Sequence, residues 1–468
     1  MPKDTRLYIS IYISLERCVE HMSSSGGREQ WGSRIGFIMA AAGSAVGLGN
    51  VWRFPYLVGM NGGAAFVIVY IFLAITVGIT VMLAEFCIGR AAQRNSVGAF
   101  RALAKNQGWQ VVGWLGLLAG GFIILSYYGI IAGWTIKYMI HSLTGLMPIA
   151  AEGGSGDVLG AFLGNTKLVV FYQAIAMAIT IAIVAGGIGG GIERACKVMM
   201  PALFVILLIL IVRSVTLPGA GAGLDFYLRP DFSKLTGKSI LDALGQQFFS
   251  LSLGMGIMVT YGSYLKKSER LPSAGIMILC LDSSIAFLAG FAIFPAVFAM
   301  GIEPSAGVGL TFVTLPGVFA KMPMGGFFSF AFFLLLFFAA VTSMMSLLEV
   351  AVSFIMDEFH IKRKAAAWGG GILITLLGLP SAMSLAGAPK VLGMDFFDFM
   401  DALSNNVMMP LCAVGICLFA GWAWADGARR EVTNDGLVSF GMLNLWMIAL
   451  KFFAPAMIAI ILVNGWPF

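Results

Sequence analysis

The sequence predicts an all-α polytopic membrane protein, built as an inverted repeat of five plus five transmembrane helices with an eleventh span outside the repeat. Three observations support this fold class. Of the 468 residues, 59% are hydrophobic and only 11% are charged, and the mean hydropathy of +0.91 lies outside the range of soluble domains. Apolar stretches of transmembrane length recur along the whole chain. Two of these stretches, in spans one and six, are broken by glycines and polar residues.

Each predicted span is apolar over a length that crosses a bilayer. The spans cover residues 34–58, 64–89, 111–142, 167–187, 193–216, 240–265, 272–301, 325–357, 366–384, 399–424 and 438–463. Residues 28–216 form the predicted first repeat with spans one to five, and residues 240–424 form the second with spans six to ten. Residues 217–239 are then an extracellular loop between them, and residues 425–468 hold a connecting loop and span eleven.

Span one contains the most informative break. Gly43, Gly47 and Gly49 lie at its middle and are followed by Asn50 and Arg53. A membrane helix pairs its backbone groups within itself, so this composition is typical of opened backbone that lines a cavity. A small-residue face for close helix packing is the alternative, but such a face needs neither an amide nor a guanidinium beside it. The break therefore predicts a binding site.

Span six repeats the pattern five spans later. Gly254 and Gly256 lie close together beside Ser250 and Ser252. Interrupted segments at corresponding positions of two halves are the sequence sign of an inverted-repeat secondary transporter. In such a protein the half-helix N-termini face a substrate carboxylate, whereas unwound carbonyls and helix C-termini face cations.

Basic residues predict the orientation in the lipid bilayer. Four clusters, after spans two, six, eight and ten, fall on the same side: Arg90, Arg94, Arg101 and Lys105; Lys266, Lys267 and Arg270; Lys362, Arg363 and Lys364; Arg429 and Arg430. The positive-inside rule makes that side cytoplasmic, with the N-terminus inside. The connection 213–238 opposes this with four basic residues. The net charge of +6 is thus mostly a topology signal, and no nucleic-acid partner is predicted.

Residues 1–27 are predicted to be a cytoplasmic leader. The apolar run LYISIYISL is too short to span a bilayer, and no small-residue cleavage site makes it a signal peptide. Met22 is the expected natural start, which leaves residues 1–21 as upstream sequence. The six cysteines are scattered and show neither a disulfide framework nor a metal-binding spacing.

A family resemblance rests on motifs in and after span one. These motifs are Trp31, Gly47-Leu48-Gly49-Asn50, Arg53-Phe54-Pro55 and Asn61-Gly62-Gly63. They resemble the neurotransmitter:sodium symporters, which share the leucine-transporter fold, and the resemblance extends from Arg28 to Asp426. The eleven spans, short outer loops and lack of a cysteine pair in the loop 142–166 resemble the prokaryotic amino-acid branch. The resemblance implies a sodium symporter of a bacterial inner membrane, with no enzymatic chemistry and no obligate protein partner.

The same resemblance implies two sodium ions. One site would use the carbonyl of Ala45, the side chains of Asn50, Ser250 and Asp282, and the substrate carboxylate. The other would use the carbonyls of Gly43, Val46 and Ala339 and the hydroxyls of Thr342 and Ser343. All of these ligands are oxygens, which suit a hard cation. Hydroxyls in a helix can instead bond back to their own helix carbonyls, and this alternative remains open for span eight.

An amino-acid pocket follows from the same correspondence. Backbone groups would come from Ala45, Gly47, Gly49, Leu253 and Gly254, and the Tyr128 hydroxyl would bind the substrate carboxylate. The residues around the substrate side chain would be Ile124, Phe249, Ser252, Met255, Ser343 and Leu347. This lining is apolar and adaptable, so the implied substrate is a hydrophobic or aromatic L-amino acid. Taken alone, each apolar residue here is equally consistent with ordinary helix packing.

Charged pairs provide the predicted gates. Arg53 would meet Asp401 at the outer side, with Asp398 as the alternative partner. Arg28 would meet Asp357 at the cytoplasmic side, helped by Trp31 and Tyr264. Alternate breaking of the two pairs would give alternating access its switch. Simple solvation of charges at a membrane edge is the competing interpretation.

Asp282 departs from the chloride-dependent relatives, which resemble this chain but carry Asn there and Ser four residues later, where this chain has Ala286. A carboxylate in apolar surroundings needs a partner, so Asp282 is expected to replace chloride as the compensating charge. Two further membrane charges are Glu349, predicted to be an interior hydrogen-bonding residue, and Lys451, predicted to snorkel. Two alternatives remain. One is a same-fold symporter for another solute. The other is a transport-dead sensor, and the intact set of sodium ligands argues against it.

Overall fold

The computed structural model describes residues 28–301 and 309–466, so the predicted leader and the expected start at Met22 lie outside the described residues. Within the described ranges, nine helices are long and apolar enough to cross a membrane. These are Ala64–Ala92 (α3), Gln107–Thr144 (α5), Thr166–Ala185 (α8), Ile188–Val215 (α9), Leu271–Ala299 (α13), Gly325–Phe359 (α15), Arg363–Ser384 (α16), Phe396–Ala423 (α17) and Leu443–Asn464 (α19).

Shorter elements complete the chain. Span one is the bent pair Arg34–Ala45 (α1) and Gly49–Met60 (α2), and span six is Gly237–Ser250 (α11) followed by Ile257–Gly262 (α12). The connecting helices are Ser96–Leu103 (α4), Leu146–Ala151 (α6), Ser155–Leu163 (α7), Ala220–Leu228 (α10), Leu310–Ala320 (α14) and Ala425–Val432 (α18), with one 3-10 turn at Phe232–Lys234. A two-residue hairpin joins Lys390–Val391 (β1) to Met394–Asp395 (β2).

Helix lengths repeat between the two halves. Helices α3 and α13 both have 29 residues, and α9 and α17 both have 28. Helix α5 has 38 residues against 35 in α15, and α8 has 20 against 22 in α16. Together with the two broken spans, this order of lengths confirms the predicted fold class of five plus five spans. The exact limits of the two repeats remain predictions.

The two breaks arise from local backbone chemistry. Helix α1 starts at its N-cap Ser33, whose side chain accepts a hydrogen bond from the N–H of Gly36, and the axis turns by 49° between α1 and α2. Between α11 and α12, Ser252, Gly254 and Gly256 all have positive φ, from 54° to 71°. Glycine enters this left-handed region without steric cost, so the two glycines allow the chain to leave and re-enter the helix within six residues.

Helices α5 and α15 pack along each other through the centre of the molecule, and α1 lies against α9, α13 and α15. The breaks therefore face the central helices, and the outer helices carry the apolar side chains that face lipid. Lys451 of α19 places its ammonium 5.0 Å from the centroid of the Trp422 ring. We call the molecular ends near Arg53 and near Arg28 the Arg53 side and the Arg28 side.

Candidate functional site

A buried cavity with about 320 Å³ of empty volume lies between the two breaks. Its lining consists of Ser44, Ala45, Gly47, Gly49, Ile124, Tyr128, Phe249, Ser250, Ser252, Met255, Ile257, Ser343 and Leu347. The structure thus brings together every residue predicted for the amino-acid pocket except Leu253 and Gly254. Ser44 and Ile257 belong to the lining as well, although the sequence did not single them out.

Leu253 and Gly254 lie outside this lining. The N–H of Gly254 donates to Oε1 of Glu85 at 2.8 Å, and a methyl group on Gly254 would overlap the backbone of Met409. The N–H of Gly254 therefore holds the break, and the expected offer of backbone groups of Leu253 and Gly254 to a substrate stays a prediction. Glu85 is fully buried in α3 and was missed. Its only sequence signal is a carboxylate within an apolar span.

The first break leaves no room for side chains. A Cβ on Gly47 would lie 2.6 Å from Oγ of Ser343 and 3.1 Å from the hydroxyl of Tyr128. A Cβ on Gly49 would lie 2.9 Å from Cδ1 of Phe249. The Tyr128 hydroxyl accepts a hydrogen bond of 3.1 Å from the N–H of Leu48. Tyr128 is thus fixed directly at the opened backbone of span one.

Asp282 is the centre of a fully buried polar cluster. Its Oδ1 accepts hydrogen bonds of 2.8 Å from Nδ2 of Asn50 and 2.8 Å from Oγ of Ser250. Its Oδ2 accepts from the Tyr70 hydroxyl at 3.4 Å. Nearby, Nε2 of Gln246 donates to the carbonyl of Gly49 at 2.8 Å, which leaves Oε1 of Gln246 without a partner among the described residues.

The donor set around Asp282 fits a sodium ion. No Lys, Arg or His of the described residues forms an ion pair with this carboxylate, yet Asp282 is fully buried. A buried carboxylate surrounded only by neutral groups is unfavourable unless a cation compensates it. Asp282 and Ser250 supply side-chain oxygens, and Ala45 lines the adjoining cavity. Asn50 turns its Nδ2 toward Asp282, and its Oδ1 accepts a hydrogen bond from the N–H of Gly47 at 3.1 Å. These are the residues predicted for the first sodium.

The predicted second sodium site lies where α1 meets α15. Oγ1 of Thr342 donates to the carbonyls of Phe338 and Ala339, both at 3.0 Å, and a Cβ on Gly43 would lie 3.4 Å from Cβ of Thr342. Oγ of Ser343 lies 3.2 Å from the carbonyls of Ala339 and Ser44. The back-bonding alternative is therefore present for both hydroxyls. Because a hydroxyl that donates its proton keeps two lone pairs, these oxygens still suit a cation, and their ligand role stays a prediction.

The Arg28 side is closed by side-chain contacts. Nη1 of Arg28 lies 2.7 Å from Oδ2 of Asp357, and Nε of Arg28 donates to Oγ of Ser263 at 2.9 Å. The guanidinium also lies over the Tyr264 ring, 4.7 Å from its centroid. Trp31 donates through Nε1 to the carbonyl of Tyr261 at 3.0 Å. The structure thus assembles the predicted inner pair together with both predicted helpers.

The Arg53 side is different. Among the described residues Arg53 forms no ion pair, and its guanidinium lies 5.3 Å from the centroid of the Phe249 ring. Asp401 accepts a hydrogen bond of 2.7 Å from Nδ2 of Asn405. A cavity with about 910 Å³ of empty volume, which we call the vestibule, is lined by Arg53, Asp398 and Asp401. The predicted outer pair is therefore not joined in this structure, and the choice between Asp401 and Asp398 stays open.

Glu349 is an interior hydrogen-bonding residue, as predicted, and it also has an ionic partner that the sequence did not indicate. Its carboxylate accepts from the Tyr264 hydroxyl at 2.5 Å and forms an ion pair with Arg363, with contacts of 2.7 and 3.0 Å. Arg363 also lies 2.8 Å from Glu29. Glu349 is fully buried, which explains why it needs a full positive charge.

Two broken helices that enclose a cavity within an inverted repeat define a secondary transporter. The model of the sodium:neurotransmitter symporter family matches residues 28–153 and 162–466. The chain belongs to this family and is a sodium-dependent symporter with multiple membrane-spanning helices.

Similar proteins agree with this assignment. The uncharacterized sodium-dependent transporter YhdH of Bacillus subtilis is 39% identical over 438 residues, which cover 93% of this chain and 97% of the relative. An uncharacterized sodium-dependent transporter of Haemophilus influenzae is 38% identical over 460 residues, covering 94% and 98%. The crystal structure of MhsT in complex with L-phenylalanine has a TM-score of 0.86 and 46% identity, covering 94% of this chain and 100% of MhsT.

Proposed function

We propose that this protein imports hydrophobic or aromatic L-amino acids by alternating access, driven by sodium and independent of chloride. The observation that carries the proposal is the cavity between the two breaks, which adjoins the uncompensated Asp282 cluster. An amino acid has an apolar part and a carboxylate, and the cavity offers an apolar lining on one side and a polar break on the other.

The lining supports the substrate class. Ile124, Phe249, Met255 and Leu347 surround the cavity, and Met255 can adapt its side chain to ligands of different shape. MhsT, which shares 46% of its residues with this chain, was crystallised with L-phenylalanine. Both observations favour a large apolar or aromatic side chain in the substrate. Trp, Tyr and Phe should therefore compete with Leu at comparable or lower concentration.

Two sodium ions are proposed, one beside Asp282 and one between α1 and α15. Bound sodium would supply the positive charge that balances the carboxylates of Asp282 and of the substrate. The chain holds Asp282 in position through Asn50 and Ser250, and Tyr128 orients the substrate end of the cavity. Because Asp282 carries a negative charge while sodium is bound, chloride is not needed for that purpose.

Alternating access rests on the two ends of the molecule. We place the protein in a bacterial inner membrane with its N-terminus in the cytoplasm, so the Arg28 side faces inward. In this structure Arg28 and Asp357 are joined, whereas Arg53 and Asp401 are apart across the vestibule. Transport would require the first pair to open and the second to close.

Equilibrium binding tests the proposal. Purified full-length protein should bind radiolabelled L-phenylalanine in sodium buffer but not in potassium buffer, and apolar or aromatic L-amino acids should compete best. Gly47→Ala should abolish binding, because its methyl group would lie 2.6 Å from Oγ of Ser343. Gly245→Ala is the matched control, since a Cβ there meets nothing within 4 Å. Competition by glycine and alanine alone would refute the substrate class, and substrate binding in sodium without any uptake would indicate a sensor.

A further inference from the structure

A wide cleft lies at the Arg28 side and shares no lining residue with the central cavity or the vestibule. It has about 1350 Å³ of empty volume. Its walls are the segment before α1, the turn after α3, the end of α15 and the connection from α15 to α16. A water molecule takes up ~30 Å³ in the liquid, so the cleft has room for a tetrahedral oxyanion with its hydration water. The charged lining residues are Arg28, Glu29, Arg94, Asp357, Lys362 and Arg363.

Both carboxylates of this lining are bound to arginines. Asp357 is joined to Arg28 at 2.7 Å, and Glu29 is joined to Arg363 at 2.8 Å. A third acid, Glu349, also pairs with Arg363, but it is fully buried and does not line the cleft. No carboxylate among the described lining residues is therefore left for a further cation.

Two cations of the lining have no partner. Arg94 and Lys362 are exposed and form neither an ion pair nor a hydrogen bond with any described residue. Each follows a helix that ends in a residue with positive φ, Gln93 after α3 with 52° and His360 after α15 with 55°. Nε2 of Gln93 donates to the carbonyl of Leu265 at 3.0 Å, which fixes the turn that carries Arg94. Two unpaired cations from separate turns thus line one cleft.

An arginine and a lysine without carboxylate partners are complementary to a phosphate group. A guanidinium binds two phosphate oxygens in a bidentate manner, and an ammonium adds a point charge. Arg28 in the same lining adds a further indication, because its Nη2 is buried and has no hydrogen-bond partner among the described residues. We propose that this cleft binds a phosphate group on Arg94 and Lys362, carried either by a soluble anion or by the headgroup of a phospholipid.

Binding in this cleft is linked to the Arg28–Asp357 pair, a consequence that rests on the proposed alternating access. In the closed arrangement Arg28 compensates the charge of Asp357 at the wall of the cleft. Opening this pair leaves the carboxylate uncompensated beside the bound anion, and like charges repel each other. The phosphate group therefore binds more tightly to the conformer closed at the Arg28 side and stabilises it.

Calorimetric titration with inorganic pyrophosphate tests the site independently of transport. The full-length protein in neutral detergent, without amino acid, should show saturable binding that weakens as salt is added. Absence of pyrophosphate binding to the wild type would refute the proposal.

A short-chain phosphatidylglycerol below its micellar concentration distinguishes the two sources of the phosphate group. Phosphatidylcholine of the same chain length is its control. Competition with pyrophosphate by phosphatidylglycerol alone would identify a headgroup site, and no competition by either lipid would identify a site for a soluble anion. Equal competition by both lipids would show that the acyl chains bind, and would refute the headgroup as the source.

Variants locate the phosphate contact. Arg94→Gln combined with Lys362→Gln should lower the affinity for pyrophosphate about tenfold, the effect expected when two exposed charge contacts are lost together. Lys105→Gln combined with Lys364→Gln is the matched control. It removes one exposed cation after α4 and one at the start of α16, and neither residue lines the cleft or pairs with a described residue. Wild-type affinity in the first double variant, or an equal loss in the control, would refute the site.

The link to the Arg28–Asp357 pair has its own readout. Saturating pyrophosphate should slow the reaction of the buried Cys196 in α9 with a thiol reagent about threefold, measured with Cys18 and Cys280 replaced by serine. The Arg94→Gln, Lys362→Gln protein should show no such protection. Pyrophosphate binding with unchanged Cys196 reactivity would overturn the link. Amino-acid uptake is measured separately, so this failure is distinct from a failure of the proposed transport function.

Discussion

The two ends of the molecule hold similar charged pairs in different arrangements. At the Arg28 side, Arg28 and Asp357 are joined at 2.7 Å, and Asp357 also accepts a hydrogen bond of 2.7 Å from the N–H of Asn95. At the Arg53 side, Arg53 lies over Phe249 and Asp401 is bound by Asn405. Each end therefore has the groups for a closed pair, but only one end has brought them together.

The difference shows which contacts close an end of the cavity. Ser263, Tyr264 and Trp31 add hydrogen bonds and ring contacts around the Arg28 pair. At the other end, Gly49, Tyr128 and Phe249 line both the central cavity and the vestibule, so they form the thin wall between the two. In our account this structure is a conformer closed at the Arg28 side, in which only this wall separates the vestibule from the central cavity.

Breaking the Arg28–Asp357 pair should have the largest effect, an easier opening of the Arg28 side. Arg28→Ala removes hydrogen bonds to Asp357 and Ser263, a loss of ~2 kcal/mol that corresponds to about a thirtyfold shift toward opening. Cys196 reports this opening, because it is buried and its Sγ would lie 3.4 Å from a Cβ on Gly43 in α1. We expect a faster reaction of Cys196 with a thiol reagent, measured with Cys18 and Cys280 replaced by serine.

Arg34→Ala provides the control for that experiment. Arg34 also lies in span one at the Arg28 side, but 44% of its side chain is exposed and it pairs with Glu269 instead of the gate. Its loss should leave Cys196 protected. If Arg34→Ala and Arg28→Ala expose Cys196 equally, the Arg28 pair is not the specific closure of this end.

The second largest effect concerns sodium, which in our account stabilises the closed Arg28 side. Thr342→Ala combined with Ser343→Ala should weaken sodium-dependent substrate binding more than about tenfold, since two ligands of ~0.7 kcal/mol each reach that factor. Ser353→Ala is the matched control, because its hydroxyl is also buried in α15 but bonds only to the carbonyl of Val350. An unchanged sodium dependence in the double variant would remove α15 from the cation site.

Asp282 allows a further test of how the negative charge beside the cavity is compensated. Once sodium has left at the Arg28 side, this carboxylate is expected to take up a proton and carry it outward, so wild-type uptake should be faster when the outside is more alkaline. Asp282→Asn with Ala286→Ser should lose this pH response and gain sensitivity to chloride. Uptake at two external pH values, with chloride or gluconate, measures both properties. A double variant that keeps the wild-type pH response would exclude Asp282 as the proton carrier.

The smallest effect on substrate binding is expected from a substitution at the Arg53 side. Arg53→Gln removes a side chain that forms no ion pair with any described residue, and exposed pairs contribute ~0–1 kcal/mol even when closed. Substrate affinity should therefore fall by less than about fivefold, and Cys196 should stay protected. A loss as large as that of Arg28→Ala would show that the outer pair forms a tight closure in the bound state, and would weaken the contrast between the two ends.

The sequence predicted the breaks well, because glycines and polar residues within apolar spans are a local signal. Asn50, Ser250 and Asp282 were placed in one site by family resemblance, and the structure joins them within 3 Å. Glu85 and the ion pair of Glu349 with Arg363 were missed. Their partners come from other helices, and only the packing of those helices brings them together.

The sequence also does not predict which conformational state the structure shows. The family resemblance pairs Arg53 with Asp401, or with Asp398 as the alternative, but it does not tell which of two alternating states the chain occupies. The same holds for Gly254, whose N–H is used by Glu85 in the fold. Sequence patterns thus located the groups of the site, whereas the contacts made in one state depend on the relative positions of whole helices.

Uptake into proteoliposomes tests the central claim most directly. The full-length protein should accumulate radiolabelled L-phenylalanine when an inward sodium gradient is applied, and accumulation should persist when all chloride is replaced by gluconate. Replacement of external sodium by potassium should abolish it. Uptake that is equal with and without sodium, or that disappears in gluconate, would contradict a sodium-driven carrier in which Asp282 takes the place of chloride.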